Sequence, residues 1–213
     1  MSVRSQTTAT CIHCGHSQAV DTFLSINVKE DPELKERVLD GSLFVWECVS
    51  CGKAGLIGRE CLYHDPDRRL MIWFQPEGAE DGRLSAAVAE LGGYTLRRVS
   101  DVGSLIEKVH IFDAGLEDTV MEMCKYVSRL ELAESMKEQG PRILAAPFKF
   151  YRMEGADNEL LLSFPLDGQM MVVRVGFHVY EDCRGILARH PDVTEDPAGF
   201  ARIDAAWIEA LMR

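Results

Sequence analysis

The chain has 213 residues, 46% of them hydrophobic and 27% charged, which is the composition of a globular protein with a core. Its formal net charge of -11 opposes nucleic-acid binding, because that affinity depends largely on Lys and Arg side chains that displace counterions. No apolar run approaches the roughly 18 residues of a membrane-spanning helix, and the polar first residues lack the apolar stretch of a signal peptide. We therefore expect a cytoplasmic protein that binds neither membranes nor nucleic acid.

In the first third of the chain, the pattern predicts short strands and one capped helix. Residues 1–10 are polar, and we expect them to be loose. The helix is expected over residues 31–41, because Asp31 can cap it, Pro32 fits its first position and Gly41 can end it. The last two of four predicted strands are joined by a turn-rich link, which predicts a hairpin. These strands cover residues 23–28, 43–46, 56–63 and 69–74.

The remainder of the chain alternates predicted helices and strands. The strongest helix covers residues 117–138, where apolar residues recur at steps of three and four and form one stripe. Gly140-Pro141 ends this helix and marks an internal boundary. We expect one α+β domain over residues 9–139 and a smaller α+β domain or extension, rich in strands, over residues 142–213. The other predicted helices cover residues 81–91, 102–112, 179–188 and 200–212. The other predicted strands cover residues 94–99, 148–151, 159–164 and 170–177.

Two short cysteine motifs carry the clearest chemistry in the sequence, and we call them knuckle 1 and knuckle 2. They read Cys11-Ile12-His13-Cys14-Gly15 and Cys48-Val49-Ser50-Cys51-Gly52. A two-residue gap lets both sulfurs of a turn face one ion, and a second turn completes the tetrahedron of a structural Zn²⁺ site. Glycine after the second cysteine favours the left-handed backbone that points N–H groups at the thiolates. The sequence thus predicts a zinc ribbon integrated into a mixed α+β body, with Zn²⁺ held by Cys11, Cys14, Cys48 and Cys51.

Three further segments accompany the knuckles along the chain. They are DPELKE at residues 31–36, LYHDP at residues 62–66 and IFDAGLEDTVME at residues 111–122. With these segments the chain resembles, over roughly residues 9–130, the CpXC family of bacterial and archaeal proteins, named for a CPxCG motif. The resemblance implies the two knuckles and assigns no catalytic residue. Ile12 and Val49 stand where that motif has proline, so the ligands are kept while the turns are less rigid.

Other cysteine and histidine residues are weaker candidates for chemistry. His13 and His16 lie at knuckle 1 and either could replace a cysteine, although four sulfurs already complete the shell. Cys61 and His64 lie three residues apart at the end of a predicted strand. On a strand, residues three apart point to opposite faces, so the pair cannot hold one ion unless the strand breaks between them. Cys124 lies on the apolar stripe of the helix predicted over residues 117–138, so we expect it to be buried in the core. Cys183 follows two acidic residues, which disfavour its thiolate and argue against a reactive thiol.

Binding is the function that the sequence predicts first. We expect zinc to stiffen a platform for a protein partner or for a homo-oligomer. Candidate anchors on that platform are large aromatic residues, which on alternating strands usually face the core instead. They are Trp46, Tyr63, Trp73 and Phe74.

Two other functions remain open from the sequence. A hydrolase-type enzyme would place its cleft near His64 and Asp65, since a His-Asp dipeptide at a strand end can provide a general base. Ordinary turn chemistry at Asp65-Pro66 is the plainer interpretation of the same residues. Nucleic-acid binding through the knuckles ranks third because of the acidic net charge.

Overall fold

The structure is a computed structural model that describes residues 1–76, 92–189 and 199–213. In these residues it contains ten strands, six α-helices and one 3₁₀ helix, so the predicted α+β class is confirmed. None of the helices described there has both the length and the apolar character needed to cross a bilayer. The helix expected over residues 81–91 lies outside the described residues.

The described residues fall into two compact units. The first unit comprises residues 1–76, 92–106 and 199–201, and the second comprises residues 107–189 and 202–213. The boundary predicted at Gly140-Pro141 lies within the second unit, at the beginning of a short helix. That residues 142–213 form a domain of their own stays a prediction.

Most strands of the chain lie in the first unit. They are β1 (Val3–Thr10), β2 (Ser17–Asn27), β3 (Val45–Glu47), β4 (Ala54–Leu56), β5 (Cys61–Asp65), β6 (Leu70–Phe74) and β7 (Thr95–Val99). Five of them form a mixed sheet in the order β1-β2-β5-β6-β7, and β3 pairs with β4 as a separate hairpin. The strand β2 runs parallel to β5, whereas β5 and β6 form the predicted antiparallel hairpin. Helix α1 (Glu33–Leu39) buries Leu34 and Val38.

The structure corrects the expectation that residues 1–10 are loose. They form β1, which pairs antiparallel with β2 from Val3 opposite Ser25 to Thr10 opposite Ser17. The strand is mainly Thr, Ser and Gln, and its side chains are exposed or half-buried. Backbone pairing with β2 and the strand propensity of threonine stabilise β1. Because this strand buries no apolar face, its sequence has no alternation of apolar and polar residues.

Two other predicted strands have different bounds in the structure. Residues 43 and 44 of the strand expected over 43–46 belong instead to a 3₁₀ helix, Ser42–Phe44. This helix follows Gly41, whose φ of 76° only glycine adopts readily. The strand expected over residues 56–63 divides into the ends of β4 and β5. Both differences come from chain reversals that periodicity cannot detect.

The core of the first unit centres on β6, in which all five residues are buried. Such a strand is covered on both faces and reads as a continuous apolar run. On one face Trp73 packs edge-on against Phe200, with ring centroids 5.7 Å apart. The four aromatic residues considered as anchors are all buried, so the core interpretation is confirmed and an exposed anchor role is wrong for Trp46, Tyr63, Trp73 and Phe74.

The second unit combines a three-stranded antiparallel sheet with helices. The strands are β8 (Lys149–Glu154), β9 (Glu159–Leu166) and β10 (Gln169–Val175), in the order β10-β9-β8. Helix α2 (Val102–Asp113) enters this unit, which also contains α3 (Asp118–Ser135), α4 (Gly140–Ala145), α5 (Phe177–Leu187) and α6 (Ala205–Leu211). Helix α3 packs against α4, α5 and α6. Leu160, Leu162 and Phe164 of β9 lie in the resulting apolar core.

A buried network of ion pairs crosses this unit. Lys125 donates to Glu107 at 2.7 Å and to Glu122 at 2.8 Å, and Lys108 donates to Asp118 at 2.7 Å. All five side chains are buried. Burial raises the pKa of Glu122, whereas Lys125 and Lys149 outweigh burial at Glu107 and lower its pKa. The pairing offsets the cost of removing these charges from water.

Candidate metal centre

Each knuckle lies at the tip of an antiparallel hairpin. Knuckle 1 connects β1 to β2 directly after the pair Thr10 and Ser17. Knuckle 2 connects β3 to β4 after the pair Glu47 and Ala54. Two hairpin tips can each present two sulfurs to a common point, because the strands fix the direction of each turn.

The four cysteines of the knuckles converge. The Sγ atoms of Cys11, Cys14, Cys48 and Cys51 all lie within 4.8 Å of one another. The Sγ atoms of Cys11 and Cys51 are 3.6 Å apart, as are those of Cys14 and Cys48. A tetrahedral ion with bonds of about 2.3 Å separates its sulfur ligands by about 3.8 Å. The cluster is therefore compatible with a metal ion, and none of its cysteines forms a disulfide.

The two knuckles have the same internal hydrogen bonds. The Gly15 N–H donates to the Cys11 carbonyl at 2.8 Å, and the Gly52 N–H donates to the Cys48 carbonyl at 2.8 Å. Both glycines have positive φ, 72° and 66°, a conformation that side chains with a Cβ rarely adopt. The left-handed backbone predicted for the glycine after each cysteine pair is thus confirmed at both positions, while each glycine N–H donates to a carbonyl and not to a sulfur.

A side chain that the sequence analysis did not single out joins the two hairpins. Gln18, at the start of β2, donates from Nε2 to the Glu47 carbonyl at 3.0 Å. Its Oε1 accepts from the Val49 N–H at 2.9 Å. One amide group thus holds the backbone on both sides of Cys48 from the hairpin of knuckle 1. No local pattern marks Gln18, because its partners lie about thirty residues away in sequence.

A small apolar cluster lies under the metal centre. It consists of Cys11, Val20, Trp46, Cys48 and Ile57. Trp46 stands opposite Gly55 in the hairpin of knuckle 2. A Cβ on that glycine would lie 2.7 Å from Trp46 Nε1, so the indole fits only because residue 55 has no side chain.

The metal centre has a buried side and a solvent side. Cys11 and Cys48 are buried, whereas Cys14 and Cys51 are exposed. The residues that follow the buried cysteines project outwards, with Ile12 92% and Val49 77% exposed. Each hairpin tip therefore presents one branched apolar side chain to solvent beside the cysteine cluster.

Electrostatics in the cluster favour the thiolate of Cys11 and disfavour that of Cys51. The backbone N–H of His13 lowers the pKa of Cys11 to about 6, although burial acts in the opposite direction. At Cys51 the N–H of Lys53 lowers the pKa, but burial and the three neighbouring sulfurs outweigh it and raise the pKa to about 12. Because several thiolates at this distance repel one another, a cation between them is what allows all four to ionise.

The weaker metal candidates stand apart from this cluster. His13 and His16 are exposed at knuckle 1, and among the described residues the group that could hold a metal contains the four cysteines alone. Cys61 is buried on one face of β5, and His64 is half-buried on the other, as alternation along a strand requires. The interpretation that Cys61 and His64 do not share an ion agrees with this geometry.

His64 and Asp65 also face different surroundings. The ring of His64 lies 3.2 Å from the Tyr94 hydroxyl, and burial lowers its pKa. Asp65 is buried and accepts from the Arg68 N–H at 3.2 Å, with the ammonium of Lys35 at 3.7 Å. Asp65 thus closes the turn between β5 and β6, which is the plainer of the two interpretations drawn from the sequence.

The remaining cysteines lie in the second unit. Cys124 and Cys183 are buried in its apolar core. Contact with Cys183 raises the pKa of the Cys124 thiol, and burial raises it further. Cys124 therefore belongs to the core, as its place on the helix stripe predicts.

Comparison with known proteins gives one family. Neither a search of curated proteins nor a search of solved structures finds a significant match to the chain. The model of the CpXC protein family, by contrast, matches residues 9–125. This range includes both knuckles and more than half of the chain, in agreement with the resemblance that the motifs predict. The chain is a member of the CpXC family.

Proposed function

We propose that this chain is a zinc-binding protein whose clustered cysteines hold one Zn²⁺ in a zinc ribbon. The observation that carries the proposal is the convergence of Cys11, Cys14, Cys48 and Cys51 at the tips of two hairpins. Thiolates in a tetrahedral set favour Zn²⁺ over hard cations such as Mg²⁺ and Ca²⁺. A reducing cytoplasm, the compartment that we propose, keeps the thiols free for the metal.

The role of this zinc is structural. Four thiolates occupy all four positions of a tetrahedral ion and leave none for water or substrate. The apolar cluster beneath the knuckles is small, so metal binding supplies much of the free energy that fixes the two hairpins. The ribbon is then a rigid element of the first unit.

The rigid ribbon serves as an interaction module for a protein partner. Support comes from Ile12 and Val49, which extend from equivalent positions of the two knuckles and are largely exposed. Apolar side chains held on a rigid scaffold lose little entropy on binding, which favours a protein partner over solvent. The buried aromatic residues take no part in this surface.

Elemental analysis of protein purified without added metal tests the zinc proposal. We expect about one equivalent of zinc per chain, as four ligands imply. Replacement by Co²⁺ should give the visible absorption of a tetrahedral thiolate site. Cys51→Ser should lose the metal, and the matched control Cys61→Ser, which changes a buried cysteine outside the cluster, should retain it. A folded wild-type protein without metal and with reduced thiols would overturn the proposal.

A photo-crosslinking residue at position 12 tests the interaction role. We expect one discrete protein adduct in cells from position 12, because that side chain extends from the ribbon. The same residue at Val3, an exposed position of β1, is the control and should not form this adduct. Identical adducts from positions 12 and 3 would argue against a partner at the knuckles.

Neither alternative function gains support from the site. Asp65 is engaged in a turn, so its carboxylate does not orient His64 as a general base would require. The net charge of -11 disfavours nucleic-acid binding, because binding is driven by Lys and Arg side chains that release counterions from the phosphates. We expect no measurable affinity for duplex DNA by fluorescence anisotropy at about 150 mM salt. Micromolar binding that weakens steeply with salt would rank nucleic-acid recognition first.

A further inference from the structure

The sheet of the second unit has two edges of different character. At one edge, β8 has a bulge between Phe150 and Arg152, where the register with β9 shifts. Lys149, Arg152 and Glu154 also place charges along this strand. Bulges and charged side chains are the features by which proteins keep an edge strand from pairing with another chain. The β8 edge is therefore protected.

The other edge, β10, has no bulge and a single charged residue, Arg174. It pairs with β9 in unbroken register from Gln169 to Val175, and it contains neither proline nor an acidic residue. Met170 is 68% and Val172 56% exposed. An edge strand has a row of backbone N–H and C=O groups that point away from the sheet. An unbroken, largely apolar edge of this kind is a template for a further strand.

The exposed side chains of β10 lie on both faces of the sheet. Met170 and Val172 share one face, and Met171, which lies opposite Phe164 of β9, is exposed on the other. A helix or a globular surface covers one face of a sheet only. An added strand extends both faces at once, because its side chains alternate in the same way. The occupant that fits β10 is a strand.

We propose that this strand is β10 of a second copy of the chain, paired antiparallel about a two-fold axis at Val172. In this register Val172 lies opposite Val172 of the second copy, and Met171 lies opposite Val173. The result is a continuous six-stranded sheet formed by two identical edges, as a two-fold interface requires. The inference goes beyond the proposed zinc role, because it depends on the sheet of the second unit alone.

Charge favours this self-pairing. The single charged residue of β10 is Arg174, which is neutralised within its own chain by Glu154 at 2.9 Å and Glu159 at 3.3 Å. In the antiparallel register Arg174 lies opposite Met170 of the second copy rather than opposite its own counterpart. A parallel arrangement would bring the two arginines side by side, which is unfavourable. Each chain is strongly acidic, but β10 has no acidic residue, so pairing of the two β10 strands brings no acidic side chains of these strands together.

Sedimentation velocity and light scattering on the zinc-loaded full chain test the proposal. Because a single strand pair is a small interface, we expect a monomer–dimer equilibrium between about 1 and 200 µM protein. Val172→Lys should weaken it at least about tenfold, since two lysines then face each other across the axis. Val3→Lys is the matched control, because it makes the same change at an exposed valine of the polar edge strand β1, and it should leave the equilibrium unchanged.

A charge-reversal pair makes the test specific. Val172→Glu alone should also be monomeric, and an equimolar mixture of the Lys and Glu variants should recover the dimer, since opposite charges then meet at the axis. Recovery shows in addition that both variants are folded. A wild-type monomer at the highest concentration, a dimer that persists in Val172→Lys, equal loss in Val3→Lys, or no recovery on mixing would each overturn the proposal. Zinc content measured on the same samples reports on the metal proposal separately.

Discussion

The hairpins around the knuckles and the core of the second unit are stabilised in different ways. The apolar cluster beneath the knuckles has five buried residues, and two of these are cysteines of the metal centre. Among its described residues, the second unit buries nineteen apolar side chains in one cluster and adds a network of ion pairs. A small core supplies too little hydrophobic free energy to fix a fold, whereas a large one does not need a metal. We therefore expect loss of a metal ion to destabilise the hairpins of the knuckles and to leave the second unit unaffected.

The largest expected effect comes from loss of a metal ligand. Cys48→Ser leaves three sulfurs around the ion and should lower the free energy of unfolding by at least about 5 kcal/mol, because the metal-binding energy of the site is folding energy. Cys183→Ser, a buried cysteine of the other core, should lower it by about 1–2 kcal/mol and leave the zinc content unchanged. Thermal unfolding and elemental analysis of both variants measure the difference. Equal effects would mean that the ligands are misassigned.

The next largest effect should come from the ion network of the second unit. Lys125→Met leaves Glu107 and Glu122 buried without their shared cation, at an expected cost of about 3–5 kcal/mol. The zinc content should stay at the wild-type value. As a control, Arg142→Met removes an ion pair with Asp167 that is exposed on both sides and should cost less than about 1 kcal/mol. Denaturant unfolding distinguishes these outcomes, and loss of zinc in Lys125→Met would contradict the separation of the two regions.

A smaller effect is expected in the hairpin of knuckle 2. Gly55→Ala places a Cβ against the indole of Trp46 and should cost about 1–3 kcal/mol through overpacking. Gly58→Ala is the matched control, because no atom lies within 4 Å of the added Cβ there. Its stability should stay within about 0.5 kcal/mol of wild type. Tryptophan fluorescence during unfolding follows both variants, and equal stability would mean that Trp46 repacks freely.

The smallest expected effect concerns the amide that joins the hairpins. Gln18→Ala removes two hydrogen bonds to the backbone of knuckle 2 and should cost about 1 kcal/mol. Zinc transfer to a chelator should become faster, since the two tips can then separate more easily. Gln6→Ala removes a bond from Gln6 of β1 to the exposed Asp21 of β2 and should change neither quantity. Equal transfer rates for the two variants would exclude a role of Gln18 at the metal centre.

The sequence identifies the elements that have a strong local pattern. The C-x-x-C-G motifs, strand β6 and helices α2, α3 and α5 are predicted close to their observed bounds, and the pairing of β5 with β6 is predicted although the start of β5 is not. In each case the pattern belongs to the element itself: ligand spacing, turn residues or an apolar stripe. The aromatic residues are assigned correctly to the core from general preferences alone.

Features that depend on distant partners are not predicted. The strand β1 is polar, and its pairing with β2 is what makes it a strand. Glu107 and Lys125 resemble ordinary surface charges of helices, since their burial follows from the packing of elements far apart in sequence. Gln18 has no local sequence signal either, because its hydrogen-bond partners lie in the second hairpin.

The two hydrogen bonds of Gln18 affect how a metal site made of two C-x-x-C motifs can be recognised in a sequence. The geometry at the cysteines depends on two hairpin tips and one amide clamp, and these elements do not require any particular number of residues between the tips. The 33 residues that separate Cys14 from Cys48 include β2 and α1, and doubling a flexible connection costs only about 0.6 kcal/mol. The distance between two C-x-x-C motifs along a chain is thus a poor criterion for a shared ion. Pairing of the strands that immediately flank each motif is a better one.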